Sequence, residues 1–200
     1  LLLSFLIINP SVYSEEININ KPFGFNFGMS SKNAKKLINS NNKEILKNEV
    51  DSKDIRTILF DGIIVEYPSI IETDKKTRLE FYKDKLMSAL IVLKNLSSNQ
   101  FTDIQNEFIT DIETEFGEAN SKDNMLSFDI WKWNIDEIKL ILSTNRNKGE
   151  VKLEYTYIPI AESKVDNELE VKRKGKLKNP ADQMFKDGNF SQQGAPVNKY

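Results

Sequence analysis

The feature that most constrains the fold is a strict alternation of apolar and polar residues. Between residues 150 and 158, apolar side chains from Val151 to Tyr157 alternate with Lys, Glu and Thr. This is the period of a strand that is buried on one face and exposed to water on the other. Residues 137–143 repeat the alternation, and residues 128–133 precede them across a short polar turn. These three segments predict an antiparallel meander.

A second pattern predicts a helix over residues 103–116. Apolar residues recur every three or four positions, from Ile104 through Ile112, and therefore lie on one helical face. Thr102, followed three residues later by a Gln, fits a capping box, and Gly117 is a suitable residue to end the helix.

The first half of the chain carries weaker signals of the same kind. Alternating aromatic residues at 23–29 predict a short strand, and Ser30 or Ser31 can cap a helix that ends at residue 39. Residues 45–50 indicate either a further helical turn or irregular chain.

Two hairpins are then predicted. The Asp61-Gly62 pair, lying between apolar runs, indicates a tight turn between strands 57–60 and 63–67, because Gly accepts a positive φ. A second hairpin is predicted over residues 78–93, with its turn at 83–85. The fold class is therefore α+β, with helices packed on one face of an antiparallel sheet. Because a helix followed by strands occurs twice, two tandem helix-plus-sheet units are a reasonable architecture.

Residues 1–14 resemble the back half of a secretory signal peptide that is truncated at its N-terminus. The apolar run over residues 1–8 is shorter than the roughly 20 residues that a membrane span needs. Val12 and Ser14 fit cleavage before Glu15. We therefore expect an exported protein, periplasmic or extracellular, in which residues 15–22 form a polar lead-in.

The α+β domain is predicted over residues 23–160, and a disordered tail over residues 161–200. The tail contains few apolar residues that could offset the entropy of ordering it. Its basic segment, residues 172–178, is either a solvated linker or a site for an anionic surface.

Composition excludes several kinds of chemistry. The chain contains no His, which is the usual proton shuttle near neutral pH, and no Cys, which is the usual soft ligand of metal ions. Its formal charge is −2 with both signs interspersed, so we expect no nucleic-acid binding. We also expect no metal and no cofactor. A hydrolase would have to use carboxylates, Ser or Tyr. The acidic residues of the predicted long helix form either such a site or, more simply, a solvated face; they are Asp103, Glu107, Asp111, Glu115 and Glu118.

Trp131 and Trp133 are the candidate partner-binding residues. Because they are two positions apart on one predicted strand, they share a sheet face, whereas Phe128 and Ile130 point the other way. If the pair faces water, it forms an aromatic platform for a protein or a glycan. If it faces the core, Ile130 is the outer residue.

One segment carries a resemblance to known proteins. Residues 23–30, with the sequence FGFNFGMS, resemble the F-G-x-x-x-G-M-S opening of many small exported bacterial proteins. The order of the later elements, to about residue 158, is similar to that of SmpA/OmlA-type outer-membrane assembly lipoproteins and of the β-lactamase-inhibitor-protein-like fold. The resemblance implies helices packed on an antiparallel sheet and a role in binding other proteins. It assigns no functional residue.

These patterns together predict a non-catalytic exported module that binds a protein or an envelope polymer through its sheet face. A hydrolase that uses carboxylate or Ser/Tyr chemistry is one alternative, and a structural component of the envelope is another. Binding predicts exposed tryptophans without a deep pocket. Catalysis predicts a concave site that holds at least one buried carboxylate with a perturbed pKa.

Overall fold

The computed structural model describes residues 18–51, 53–65, 70 and 72–176. The predicted signal peptide, the start of the lead-in and the end of the predicted tail lie outside these residues. The helices are α1 (Ser31–Ser40), α2 (Ser98–Phe116) and α3 (Ile158–Lys176), and the strands are β1 (Ile45–Val50), β2 (Ile55–Asp61), β3 (Asp74–Tyr82), β4 (Lys85–Lys94), β5 (Ser121–Met125), β6 (Phe128–Ile135), β7 (Ile138–Asn145) and β8 (Glu150–Tyr157).

The strands form one antiparallel sheet with the order β1-β2-β3-β4-β8-β7-β6-β5. Strands β1–β4 are one meander and β5–β8 are another, and pairing between β4 and β8 joins them. One helix precedes each meander in the chain, α1 the first and α2 the second. The α+β class and the tandem helix-plus-sheet order predicted from the sequence are confirmed.

The core lies between one sheet face and the helices α1 and α2. Ala34 and Ile38 of α1, and Ile104 and Phe108 of α2, belong to the same buried cluster as the sheet residues. The strand register places buried residues in a continuous row across the central six strands; in order they are Ile58, Leu79, Ala89, Tyr155, Leu140 and Trp133.

Side-chain caps set where α1 and α2 begin. The Ser30 hydroxyl accepts from the Asn33 N–H at the start of α1, as predicted. Helix α2 begins five residues before the predicted position, because Ser97 and Gln100 form the capping box instead of Thr102. Gly117, with φ of 84°, follows the helix, as expected.

The hairpin predicted at Asp61-Gly62 is wrong. Gly62 has φ of 85°, but residues 63–65, the part of the predicted second strand that the structure describes, do not form a strand, and β2 pairs with β3 instead. Ile63 is fully buried, so the apolar run reflects packing into the core. The Thr77 hydroxyl donates to the Gly62 carbonyl at 2.6 Å and fixes Gly62 against β3.

Two other predictions for the first half are also corrected. Residues 45–50 form strand β1 and not a helical turn or irregular chain. The aromatic segment 23–29 is not a strand, because it includes most of a short 3₁₀ turn, Pro22–Gly24, and then a second turn at residues 27–28. Phe23 is buried edge-on against Tyr155, with ring centroids 5.3 Å apart, so its apolar pattern arises from burial.

The predicted disorder from residue 161 is wrong as far as Lys176, where helix α3 ends. Residues 162–176 belong to a second compact unit. Its apolar side chains Val165, Leu169 and Val171 are exposed, so burial does not account for the helix. Glu, Lys, Leu and Arg are good helix formers, and they make up most of the segment. Among the residues that the structure describes, no helix is both long and apolar enough to cross a membrane.

Candidate binding face

The two tryptophans do not form an exposed platform. Trp131 and Trp133 are 3% and 1% exposed, and they lie on the helix-covered face of the sheet, opposite Leu142 and Leu140 of β7. The Trp133 indole N–H donates to the Gly117 carbonyl at 3.2 Å, at the end of α2. Their assignment as partner-binding residues is therefore corrected: they are core residues.

The opposite side of the sheet, which we call the open face, combines apolar and charged side chains. Its central row crosses six strands from β2 to β6 and mixes both types. In order across the sheet, this row contains Leu59, Arg78, Leu90, Glu154, Ile141 and Lys132.

Two adjoining depressions lie on the open face. The first has a volume of about 460 Å³ and an apolar floor that includes Leu59, Leu90 and Val92. The second has a volume of about 320 Å³ and extends across β4 to Ile141 on β7 and Glu154 on β8. Leu90 and Val92 line both, so the depressions meet on strand β4. Apolar floors with polar rims are typical of ligand and partner sites.

Ion pairs surround the apolar floor of the two depressions. On β8, Glu150 accepts from Lys152 at 2.6 Å and lies 3.9 Å from the Lys94 ammonium. On β3, the Arg78 Nε lies 3.3 Å from a Glu80 carboxylate oxygen. The rim therefore carries both positive and negative side chains, so the open face is neither a purely basic nor a purely acidic surface. Such pairs add little stability when exposed, but they fix the orientation of an approaching charged group.

Glu154 is the titratable group whose surroundings are most unusual on this face. Its cross-strand neighbours are Leu90 and Ile141, both apolar. Burial raises the pKa of Glu154, with the Glu80 charge acting in the same direction and Arg78 opposing both. A carboxyl with a raised pKa in a concave site meets part of the condition set above for the hydrolase alternative, although the Glu154 side chain is half-buried and not fully buried.

The acidic residues of α2 remain at the surface. Asp103 and Glu115 are exposed, and Asp111 is partly buried. Burial raises the pKa of Asp111. Within the residues that the structure describes, no group of three or more acidic side chains could hold a metal ion.

Strand parity was predicted correctly, and of the two alternatives the structure shows the one in which the tryptophans face the core. Phe128, on the open face, is 46% exposed, and Met125, its cross-strand partner on β5, is 60% exposed. Strand β5 was missed because its sequence, SKDNM, contains one apolar residue. The unbroken apolar run over residues 89–93 of β4 was the sequence signal that both faces of this strand are apolar.

The fold is therefore that of an α+β protein with α1 and α2 packed on one sheet face and a mixture of apolar and charged side chains on the other. The chain matches no protein-family model, no curated protein and no solved structure.

Proposed function

We propose that the chain is a non-catalytic, exported binding module, periplasmic or extracellular, that binds a protein through the open face. The observation that carries the proposal is the pair of adjoining depressions with an apolar floor and an ion-paired rim. An apolar side chain of the partner would displace water from Leu90 and Val92, while the rim would orient its polar groups.

Position-specific crosslinking tests this proposal. A photoreactive amino acid replaces Ile141 in the second depression, and, as a matched control, Asn106 on the exposed side of α2. Crosslinking is carried out in envelope extract of the source organism, and the products are identified by mass spectrometry. We expect one protein that crosslinks from position 141 and not from position 106.

The captured protein is then purified and titrated with the native chain and with the Val92→Arg variant. Because Val92 lines both depressions, a charged replacement should weaken binding at least about tenfold, as expected for a residue at the centre of an interface. An equal affinity for Val92→Arg, with far-UV circular dichroism unchanged, would contradict the proposed site. An envelope polymer as the ligand would show instead as retention on the polymer with no protein crosslink.

Glu154 supports one alternative, a hydrolase that uses carboxylate chemistry. A general acid needs a raised pKa, and Glu154 has one in a concave site. A glycoside hydrolase also needs a second carboxylate at a defined separation. A panel of chromogenic glycosides and esters, assayed with the native chain and with Glu154→Gln, separates the two functions: turnover that Glu154→Gln abolishes would favour the enzyme. The structural-component alternative predicts neither turnover nor a specific crosslink.

A further inference from the structure

Strand β1 is an uncovered edge of the sheet. It is the first strand in the sheet order, and no strand lies beyond it among the residues described. All its residues after Ile45 are exposed. An uncovered edge presents backbone N–H and C=O groups that can pair with another strand, and proteins usually prevent this with charges, bulges or short strands.

The side chains of β1 are complementary to a second copy of themselves. In an antiparallel pair centred on Asn48, Lys47 of one copy lies opposite Glu49 of the other, and the reverse pair forms by symmetry. Opposite charges directly across two strands stabilise a sheet.

Charge selects this register against its neighbours. Within one copy, the Lys47 ammonium lies 2.8 Å from the Glu49 carboxylate, and both side chains are more than half exposed. In a continuous antiparallel sheet, two residues that lie directly opposite each other have their side chains on the same face. The twofold axis must therefore lie midway between two copies of the same residue. A pair centred on Lys47 would place two ammonium groups together, and a pair centred on Glu49 would place two carboxylates together. A bulge between Ile45 and Lys47 confines regular pairing to the last part of the strand.

The opposite edge, β5, lacks this complementarity. A twofold pair centred on Asp123 would place two carboxylates together, and one centred on Lys122 would place two ammonium groups together. Because Lys122 and Asp123 point to opposite faces, no twofold register of β5 pairs one with the other.

We propose that β1 mediates a weak antiparallel dimer of this chain, centred on Asn48, which joins two eight-stranded sheets edge to edge. The contact is short, so the dimer forms only at high protein concentration. The two open faces then lie on the same side of the joined sheet.

Sedimentation velocity of the full chain over a wide concentration range tests the dimer. The native chain should change from monomer towards dimer as concentration rises. Lys47→Glu and Glu49→Lys should each raise the dimer dissociation constant at least about tenfold, because each places like charges opposite each other twice. The double variant Lys47→Glu/Glu49→Lys restores opposite charges and should return to within about threefold of the native value.

Asn124→Lys on β5 is the control for the other edge, and it should leave the dissociation constant unchanged. Three results would overturn the proposal: a native chain that stays monomeric throughout, single variants that dimerise as well as the native chain, or a double variant that does not recover. Because the double variant is judged by recovery, a folding defect in one single variant cannot imitate the expected result.

Discussion

Asp84 connects the turn between β3 and β4 to the start of α1. One of its carboxylate oxygens accepts from the Ser31 hydroxyl at 2.5 Å and from the Ser31 backbone N–H at 3.0 Å. These two hydrogen bonds lower the pKa of Asp84. The carboxylate also lies at a helix N-terminus, where negative charge is favourable.

Asp84→Asn should therefore destabilise the fold at neutral pH by about 1 kcal/mol, as for other helix-start contacts. Asn is the appropriate replacement because Asp84 has φ of 59°, a conformation that Asn also tolerates. The stability that comes from a lowered pKa is present above the ordinary value of 3.8 and is lost as pH falls through the lowered value. Urea unfolding at pH 7 and at pH 3 should show the difference between variant and native chain shrinking at the lower pH. A difference that stays constant would contradict the charge-based account.

At the scale of elements, Gly149 controls how closely the turn between β7 and β8 approaches the start of α2. Its carbonyl accepts from the Leu96 N–H at 3.1 Å, one residue before the Ser97 cap. A Cβ at Gly149 would lie 2.5 Å from the Leu96 carbonyl oxygen, which is backbone and cannot rotate away.

Gly149→Ala should cost about 3 kcal/mol, from the positive φ of 54° and from the steric clash together. Gly28→Ala is the matched control. Gly28 also has a positive φ, of 75°, but its Cβ would meet nothing within 4 Å, so only the backbone strain of about 1 kcal/mol applies. Chemical denaturation of both variants measures the difference. Equal costs would mean that the loop before α2 moves to accept the methyl group.

Local sequence patterns predicted some of the helices and strands and not others, and the difference follows from how much each element buries. The alternation from Val151 to Tyr157 identified β8, because a half-buried strand shows the two-residue period directly. Strand β1 and strand β5 lie at the sheet edges and bury little, so neither shows that period. At Asp61-Gly62 the local turn signal was overridden by the burial of Ile63 in the core.

The candidate site was harder to predict than the fold. Parity showed that Trp131 and Trp133 share a face, but parity alone does not say which face the helices cover. That depends on how strands distant in sequence pair, as when Leu90 of β4 comes to lie opposite Glu154 of β8. The open face is assembled from both meanders, so no single segment of sequence contains it.

At the scale of the whole compact unit that contains the sheet and ends at Ala161, the two meanders share one core. The β4–β8 ladder joins them, and the buried cluster includes Ile58 from the first meander and Ile138 from the second. A continuous core of this kind favours unfolding as one cooperative transition. Trp131 and Trp133, the two tryptophans of the chain, both lie on β6 and therefore report on the second meander.

If the two meanders unfold together, a substitution that destabilises one meander should also shift the unfolding transition that a probe in the other meander reports. Ile58→Val removes one buried methyl group from the first meander and should cost about 1 kcal/mol. Its urea midpoint should fall equally by tryptophan fluorescence and by far-UV circular dichroism, although Ile58 lies on β2 and both tryptophans lie on β6. Ile138→Val, in the meander that contains the tryptophans, is the matched control and should behave alike. If Ile58→Val shifts the circular dichroism transition and leaves the fluorescence transition in place, the meanders unfold separately and the β4–β8 ladder does not couple them.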